Sequence, residues 1–226
     1  PDRESPTAEA PLFDRMLRDP ARRDPRAYVL PSNQADFPSA TKFVNTLRHV
    51  GVTVERATRD FTIGGKSYPA GSYVVPSAQA FRPHVLDMFE PQDHPNDFAY
   101  PGGPPRPPYD NAGYTLAMQM GVQFDRILDG FDCPCEKITT INVPPMAGTV
   151  AGTGRGFLLS HDANDAFVAV NRALKAGATV SWLKAPMTAN GKAYGAGSFY
   201  IEGAAAKGVA DQSAKDLGLK FDATND

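Results

Sequence analysis

The sequence is poor in the residues that usually carry metal and redox chemistry. It has two cysteines and four histidines among 226 residues. Cys133 and Cys135 are separated by a single proline, which is too close for the Cys-x-x-Cys spacing of metal knuckles and redox motifs. No second pair completes a four-ligand zinc site. We therefore expect two unpaired or strained loop thiols.

Long apolar runs and an excess of basic charge are also missing. No run approaches the length of a membrane span, and no secretory signal peptide is present, so no membrane span is expected. A net charge of −2 argues against the concentrated basic face that nucleic acids require. The remaining composition, 42% hydrophobic and 21% charged, is typical of a globular protein. Because the chain begins at Pro1 and not at Met, we expect a piece of a longer protein.

The dominant feature that is present is an internal repeat. Residues 65–75 (GKSYPAGSYVV) return as residues 191–201 (GKAYGAGSFYI), 126 positions later. The same offset pairs Asn45 with Asn171 and Gly51 with Gly177. Such duplication predicts two structurally related halves.

Each repeat has the pattern of a strand, a helix and a second strand. The first has an apolar run at 27–30, helical spacing over about 38–50, and a second strand from 52. The second repeats this plan from residue 156. Short loops between these elements indicate βαβ units with parallel pairing and a right-handed crossover. We predict an α/β fold with one mostly parallel sheet built from two βαββα repeats.

The repeated motif itself is predicted to form a hairpin and a strand. Gly64-Gly65 and Asn190-Gly191 are favoured two-residue hairpin turns. Residues 69–71 form a second turn before a strand that enters the sheet. The glycines and the lysine of the motif do not have the spacing of a phosphate-binding loop.

The repeat also predicts the organisation of the chain. Residues 1–26 are a leader with a short amphipathic helix, and 129–154 are a linker with a flexible glycine-rich end. The two repeats cover 27–128 and 155–226, which together form one compact domain. A second, shorter sequence similarity pairs residues 120–125 with 217–222 at an offset of 97. Because this offset is 29 smaller than the 126 of the main repeat, the first repeat must contain 29 extra residues. We place this insertion at 82–110.

The insertion supplies three candidate ligand-binding residues, His84, Asp87 and His94. His84 and Asp87 have the i, i+3 spacing that puts two side chains on one helix face. With Glu90 and Asp93 they are compatible with a metal cluster of oxygen and imidazole ligands. Three prolines interrupt the segment, so we favour hydrogen bonds within the insertion over a metal site.

The loop Ser160-His161-Asp162 supplies two further candidates, Ser160 and His161. Consecutive residues cannot be arranged as nucleophile, base and orienting acid, so no catalytic triad is predicted. The loop nonetheless follows a first strand, where open α/β sheets bind ligands. Residues 32–34 hold the equivalent place in the first repeat. Capping of the following helices is the simpler explanation of these polar residues.

Two longer stretches suggest a family. Residues 66–75 and 80–93, supported by 100–105 and 119–122, resemble the region after the catalytic domain in large secreted bacterial proteins of the zinc carboxypeptidase (carboxypeptidase A-like) family. The resemblance covers most of the chain from about Asp24. It implies a three-layer fold similar to flavodoxin and the class I glutamine amidotransferases. The family's zinc signature begins His-x-x-Glu, which this sequence lacks; its closest approach is His84 to Asp87, and no zinc ligand is assigned.

The leading functional prediction is a non-catalytic accessory module of an exported zinc carboxypeptidase-like protein, located in the periplasm or secreted. Its partners would be the catalytic domain of the same polypeptide and a peptide or other small ligand. Zinc would belong only to the parent's catalytic domain, and no cofactor is expected here. The alternative is an independent amidotransferase-like hydrolase or small-ligand-binding enzyme. It would use the strand-end loops and the insertion at 82–110.

Overall fold

The computed structural model describes residues 10–20, 23–91, 96–107 and 113–225. Within these residues, helix α1 (Ala10–Arg18) precedes two halves, each with a five-stranded sheet and a two-stranded hairpin. The first half contains, in order, β1 (Ala27–Leu30), α2 (Phe37–His49), β2 (Glu55–Ala57), β3 (Phe61–Ile63), β4 (Lys66–Tyr68), β5 (Tyr73–Pro76), α3 (Arg82–Phe89), α4 (Leu116–Gln119), β6 (Asp125–Ile127) and β7 (Cys135–Lys137). The second contains β8 (Thr149–Ala151), β9 (Gly156–Leu159), α5 (Ala166–Lys175), β10 (Thr179–Trp182), β11 (Met187–Ala189), β12 (Lys192–Tyr194), β13 (Phe199–Glu202), α6 (Ala206–Leu217) and β14 (Lys220–Thr224).

The two sheets share the order of four strands. The first sheet runs β6-β1-β5-β2-β7, and the second runs β10-β13-β9-β14-β8. Read from the matching edge, β6-β1-β5-β2 corresponds to β14-β9-β13-β10. This is the order of the split βαβ, or ferredoxin-like, βαββαβ unit, present twice. All pairs within the sheets are antiparallel except β14 with β8, which is parallel.

The predicted mostly parallel sheet is therefore wrong, and so are the flavodoxin-like and class I amidotransferase-like fold predictions. β1 and β2 do run in the same direction, since each is antiparallel to β5. However, β5 lies between them, so β1 and β2 are not neighbours, and each pairs with β5 in the antiparallel sense. β1 was misleading because all four of its residues are buried and its sequence is almost wholly apolar, which is typical of strands in parallel sheets.

Both faces of each sheet are covered, by different elements. Tyr28 and Leu30 of β1 pack against the helices, whereas Ala27 and Val29 pack against the hairpin β3–β4. In the second half the helices cover one face, and the hairpin β11–β12 covers Leu158 on the other. Covering by a hairpin explains how an antiparallel strand can be apolar along its whole length.

The repeated motif forms the predicted hairpin. Gly64-Gly65 joins β3 to β4, and Asn190-Gly191 joins β11 to β12, with all four residues at positive φ. The second turn is closed by a bond from the Ser72 N–H to the Pro69 carbonyl oxygen (3.2 Å). Both turns are local, so each half forms them alike.

The segment predicted as a linker contributes an outer strand to each sheet. β7 pairs with β2 in the first half, and β8 pairs with β14 in the second. The stretch expected to be flexible packs closely, since a Cβ atom at Gly148 would overlap the carbonyl oxygen of Leu219. Glycine is needed there because two backbones approach each other.

Two other parts of the chain complete the fold. Cys133 and Cys135 form a disulfide, so the expectation of unpaired thiols was wrong. The leader contains the helix α1, on which Phe13 and Leu17 are exposed. In the described residues, no helix has the length and apolar character needed to cross a membrane.

Candidate functional site

A cleft lies where the two halves meet, and we define it as the candidate site. The loop after β1 (residues 31–36) and the loop after β9 (residues 160–165) line opposite sides of it. Its volume is about 350 Å³. Both loops were predicted at strand ends, and the fold brings them together although they belong to different repeats.

The cleft has an apolar floor and a charged rim. Leu159 and Leu219 are buried beneath it, and Phe37 at the start of α2 adds an aromatic wall. Lys192 and Lys220 stand on the rim as cations, and Asp162 stands there as an anion. The floor suits an apolar group, while the rim suits a ligand that carries both signs of charge.

Hydrogen bonds across the junction hold the two walls together. The Asp36 carboxylate caps α2 by accepting from the Ser39 N–H at 3.0 Å. It also accepts from the backbone N–H and the side-chain amide of Asn164, at 3.0 and 2.9 Å. Nearby, the Lys42 ammonium group donates to the Asp165 carboxylate at 2.6 Å. The two walls are thus cross-linked directly by the protein's own side chains.

The predicted candidates Ser160 and His161 both lie in the loop after β9, close to the Asp162 carboxylate; Ser160 lines the cleft, whereas His161 does not. The Ser160 hydroxyl donates to that carboxylate at 2.6 Å and accepts from the Asp162 N–H at 3.2 Å. His161 Nε2 lies 3.9 Å from the other carboxylate oxygen. A nucleophilic serine needs its proton to point at the histidine. Ser160 instead donates to the carboxylate and closes a turn.

The residues at 32–34 tether the first wall to its surroundings. The Ser32 hydroxyl donates to the Ala70 carbonyl oxygen (2.8 Å). The Gln34 amide donates to the Gln123 carbonyl oxygen (3.2 Å) and accepts from the Gln123 N–H (2.9 Å). Neither residue caps α2, because Asp36 does.

Two of the three candidates from the insertion, His84 and Asp87, do not line the cleft. His84 and Asp87 are on α3, which packs against the core of the first half through Val85 and Phe89. His94 lies outside the described residues. In the described part of the chain, no group of three or more His, Cys, Asp or Glu residues is placed to hold a metal ion.

The two lysines of the rim were not predicted from the sequence. Lys192 belongs to the repeated motif, but its counterpart Lys66 pairs with Asp125 at 2.6 Å and does not line the cleft. The counterpart of Asp125 is Asp222, which binds Tyr194 and Asn190. The sequence therefore carries no signal that separates Lys192 from Lys66.

Lys220 reaches the rim through the junction between α6 and β14. It is the first residue of β14 and follows Gly218 and Leu219, which both line the cleft. Gly218 has φ +71° and ends α6 in the left-handed conformation, so the chain reverses its course there. No local sequence pattern marks Lys220, because its position depends on how this junction packs against the other half.

A repeated tyrosine–aspartate pair lies beneath each hairpin. The Tyr194 hydroxyl donates to the buried Asp222 carboxylate, and burial together with this carboxylate raises the pKa of Tyr194. In the first half, burial and the nearby Asp125 raise the pKa of Tyr68 to about 12. The Lys192 ammonium group lies 4.7 Å from the centre of the Tyr194 ring, which holds this rim cation next to the pair.

Comparisons of the chain with protein-family models, with curated proteins and with solved structures found no match. The resemblance to the carboxypeptidase accessory region therefore stays a prediction from the motifs at 66–75 and 80–93.

Proposed function

We propose that this chain is a non-catalytic accessory module of an exported zinc carboxypeptidase-like protein, and that its cleft binds a short peptide or a similar small ligand. The observation that carries the proposal is the meeting of two strand-end loops around the cleft between the halves. The link to a carboxypeptidase parent, with its catalytic domain as partner and its periplasmic or secreted location, rests on the sequence motifs alone.

The chemistry of the cleft supports a peptide with free ends. Its carboxylate would lie between Lys192 and Lys220, and its ammonium group would lie near Asp162. An apolar side chain would cover Leu159 and Leu219 on the floor. Opposite charges on the rim orient such a ligand, and burial of its apolar side chain supplies affinity.

The geometry of the second wall supports binding and not hydrolysis. The Ser160 hydroxyl donates to Asp162, so its proton is not directed at His161. The bonds from Asn164 to Asp36 fix the separation of the two walls. A preformed cleft of this kind binds with a smaller ordering cost than a flexible one.

The proposal is tested by calorimetric titration of the purified chain with short peptides that have free or blocked ends. Lys220→Ala should weaken binding of the free peptide by about tenfold, as expected for the loss of one charge-assisted hydrogen bond. Lys207→Ala removes an exposed lysine from α6, which does not line the cleft, and should leave the affinity unchanged. Peptidase activity of the purified chain that disappears on chelation would contradict the non-catalytic assignment.

A further inference from the structure

The covering segment (residues 135–143) packs over one side of the first half. It begins as β7, which pairs with β2, and the Ile138 N–H continues the pairing to the Val54 carbonyl oxygen at 3.0 Å. It then crosses α2. There the Asn45 amide donates to the Val143 carbonyl oxygen at 3.0 Å and accepts from the Val143 N–H at 2.7 Å. Asn45 thus holds both backbone groups of one residue of the segment.

In the described part of the chain, no segment covers the corresponding side of the second half. β10, the counterpart of β2, is the outermost strand of its sheet there. Asn171, the repeat counterpart of Asn45, is exposed, and its side chain makes no hydrogen bond among the described residues. One asparagine of the repeated pair therefore has a bound segment, and the other does not.

The residues around Asn171 form an exposed apolar patch, which we name the α5–β10 surface (Phe167, Asn171, Leu174 and Trp182). The exposed fractions of the three apolar residues are 53% for Phe167, 55% for Leu174 and 72% for Trp182. Trp182 lies directly across from Phe199 in the sheet, and the Phe199 ring contacts Phe167 edge-on at 5.4 Å. The buried Phe199 ring thus connects the strand position of Trp182 to the helix position of Phe167.

The repeat offset identifies the counterparts of these positions in the first half. Phe167 and Leu174 correspond to Thr41 and Arg48. Thr41 is only 1% exposed, and Arg48 donates to the Thr139 carbonyl oxygen of the covering segment at 3.3 Å.

The third apolar residue of the patch also has a polar counterpart in the first half. Trp182 corresponds to Arg56, which lies opposite Glu136 of the covering segment in the sheet. The second half thus replaces polar residues with apolar ones at all three positions. Its occupant should therefore be more apolar than the covering segment.

We propose that the α5–β10 surface binds an extended apolar segment of a partner polypeptide, which adds a strand to β10 and is held by Asn171 through the backbone groups of one residue. Strand addition to an open sheet edge is a general mode of peptide recognition. The covering segment adds a strand to the first half in this way, and it is the direct precedent within this chain for the proposed binding. This site is separate from the cleft, and the proposal does not rest on the proposed function.

The test uses the full chain and a synthetic peptide with the sequence of residues 136–143, blocked at both ends and carrying Glu136→Val to match the apolar patch. Trp182 is the only tryptophan, so its fluorescence reports on the second half alone. The peptide should shift the Trp182 emission to shorter wavelength as the indole leaves water. A second peptide that also carries Val143→Pro lacks the N–H that Asn171 would accept, and it should bind about tenfold more weakly.

Two variants of the chain complete the experiment. Asn171→Ala should weaken binding of the first peptide by about tenfold. Lys207→Ala, on the exposed side of α6, should not change it; circular dichroism checks that both variants fold. The proposal is overturned if the peptide leaves the emission of Trp182 unchanged, or if Asn171→Ala binds as tightly as the native chain. It is also overturned if Trp182 becomes protected without peptide as the chain concentration rises, since a second copy would then be the occupant.

Discussion

Tyr68 and Tyr194 occupy matching places in the two hairpins, and each is buried next to an aspartate, Asp125 of β6 or Asp222 of β14. Burial and the carboxylate both favour the protonated phenol. The pKa of Tyr68 is raised to about 12, whereas an unfolded tyrosine has a pKa of about 10. These two side chains therefore connect the stability of the fold to alkaline pH.

We expect the free energy of unfolding to fall as the pH rises above about 10, because the unfolded chain then loses phenolic protons that the folded chain retains. Each such tyrosine contributes a slope of about 1.36 kcal/mol per pH unit until its folded pKa is reached. The double variant Tyr68→Phe/Tyr194→Phe should show a shallower loss in urea unfolding between about pH 10 and 12. Tyr100→Phe, at an exposed position, is the matched control. An equally steep loss in the double variant would refute this assignment.

At the scale of elements, the hairpins were predictable and the order of the strands was not. The turns at Gly64-Gly65 and Asn190-Gly191 need positive φ at adjacent residues, and the residue types alone indicate this. The position of β5 between β1 and β2 depends on contacts between distant parts of the chain, and the apolar β1 wrongly favoured a parallel sheet. The strand-end loops of the cleft were identified, but Lys220 was not, because its place depends on the junction between α6 and β14.

The two hairpins also predict the effect of exchanging a turn residue. Gly64 has φ +56°, and its counterpart Asn190 has φ +50°. Since asparagine tolerates this conformation, Gly64→Asn should change the free energy of unfolding by less than about 1 kcal/mol. Gly64→Val should destabilise the chain by about 1–2 kcal/mol, because a β-branched side chain is strained there. Thermal unfolding distinguishes the two variants, and equal effects would contradict the turn geometry.

At the scale of the molecule, the two halves are joined by the chain that leads from β7 to β8 and by the polar contacts at the cleft. Asp36 serves both the helix cap of its own half and the contact to Asn164 of the other. The unfolding of one half should therefore weaken the other, which makes the junction an energetic link as well as a binding cleft.

A double-mutant cycle measures this link. Asp36→Ala and Asn164→Ala should each destabilise the chain, and the double variant should lose less than the sum of the two. We expect a coupling free energy of about 1 kcal/mol, the usual size for side chains in direct contact. Urea unfolding of the four proteins gives the value. Strict additivity would show that the two residues do not interact.

The most direct test of peptide binding at the cleft is a nuclear magnetic resonance titration of the isotope-labelled chain with a short peptide that has free ends. We predict that amide shifts concentrate at the cleft, around Gln34, Ser160 and Leu219, and that the peptide stays intact throughout. Shifts that spare these residues, or cleavage of the peptide that a chelator stops, would contradict a non-catalytic binding cleft.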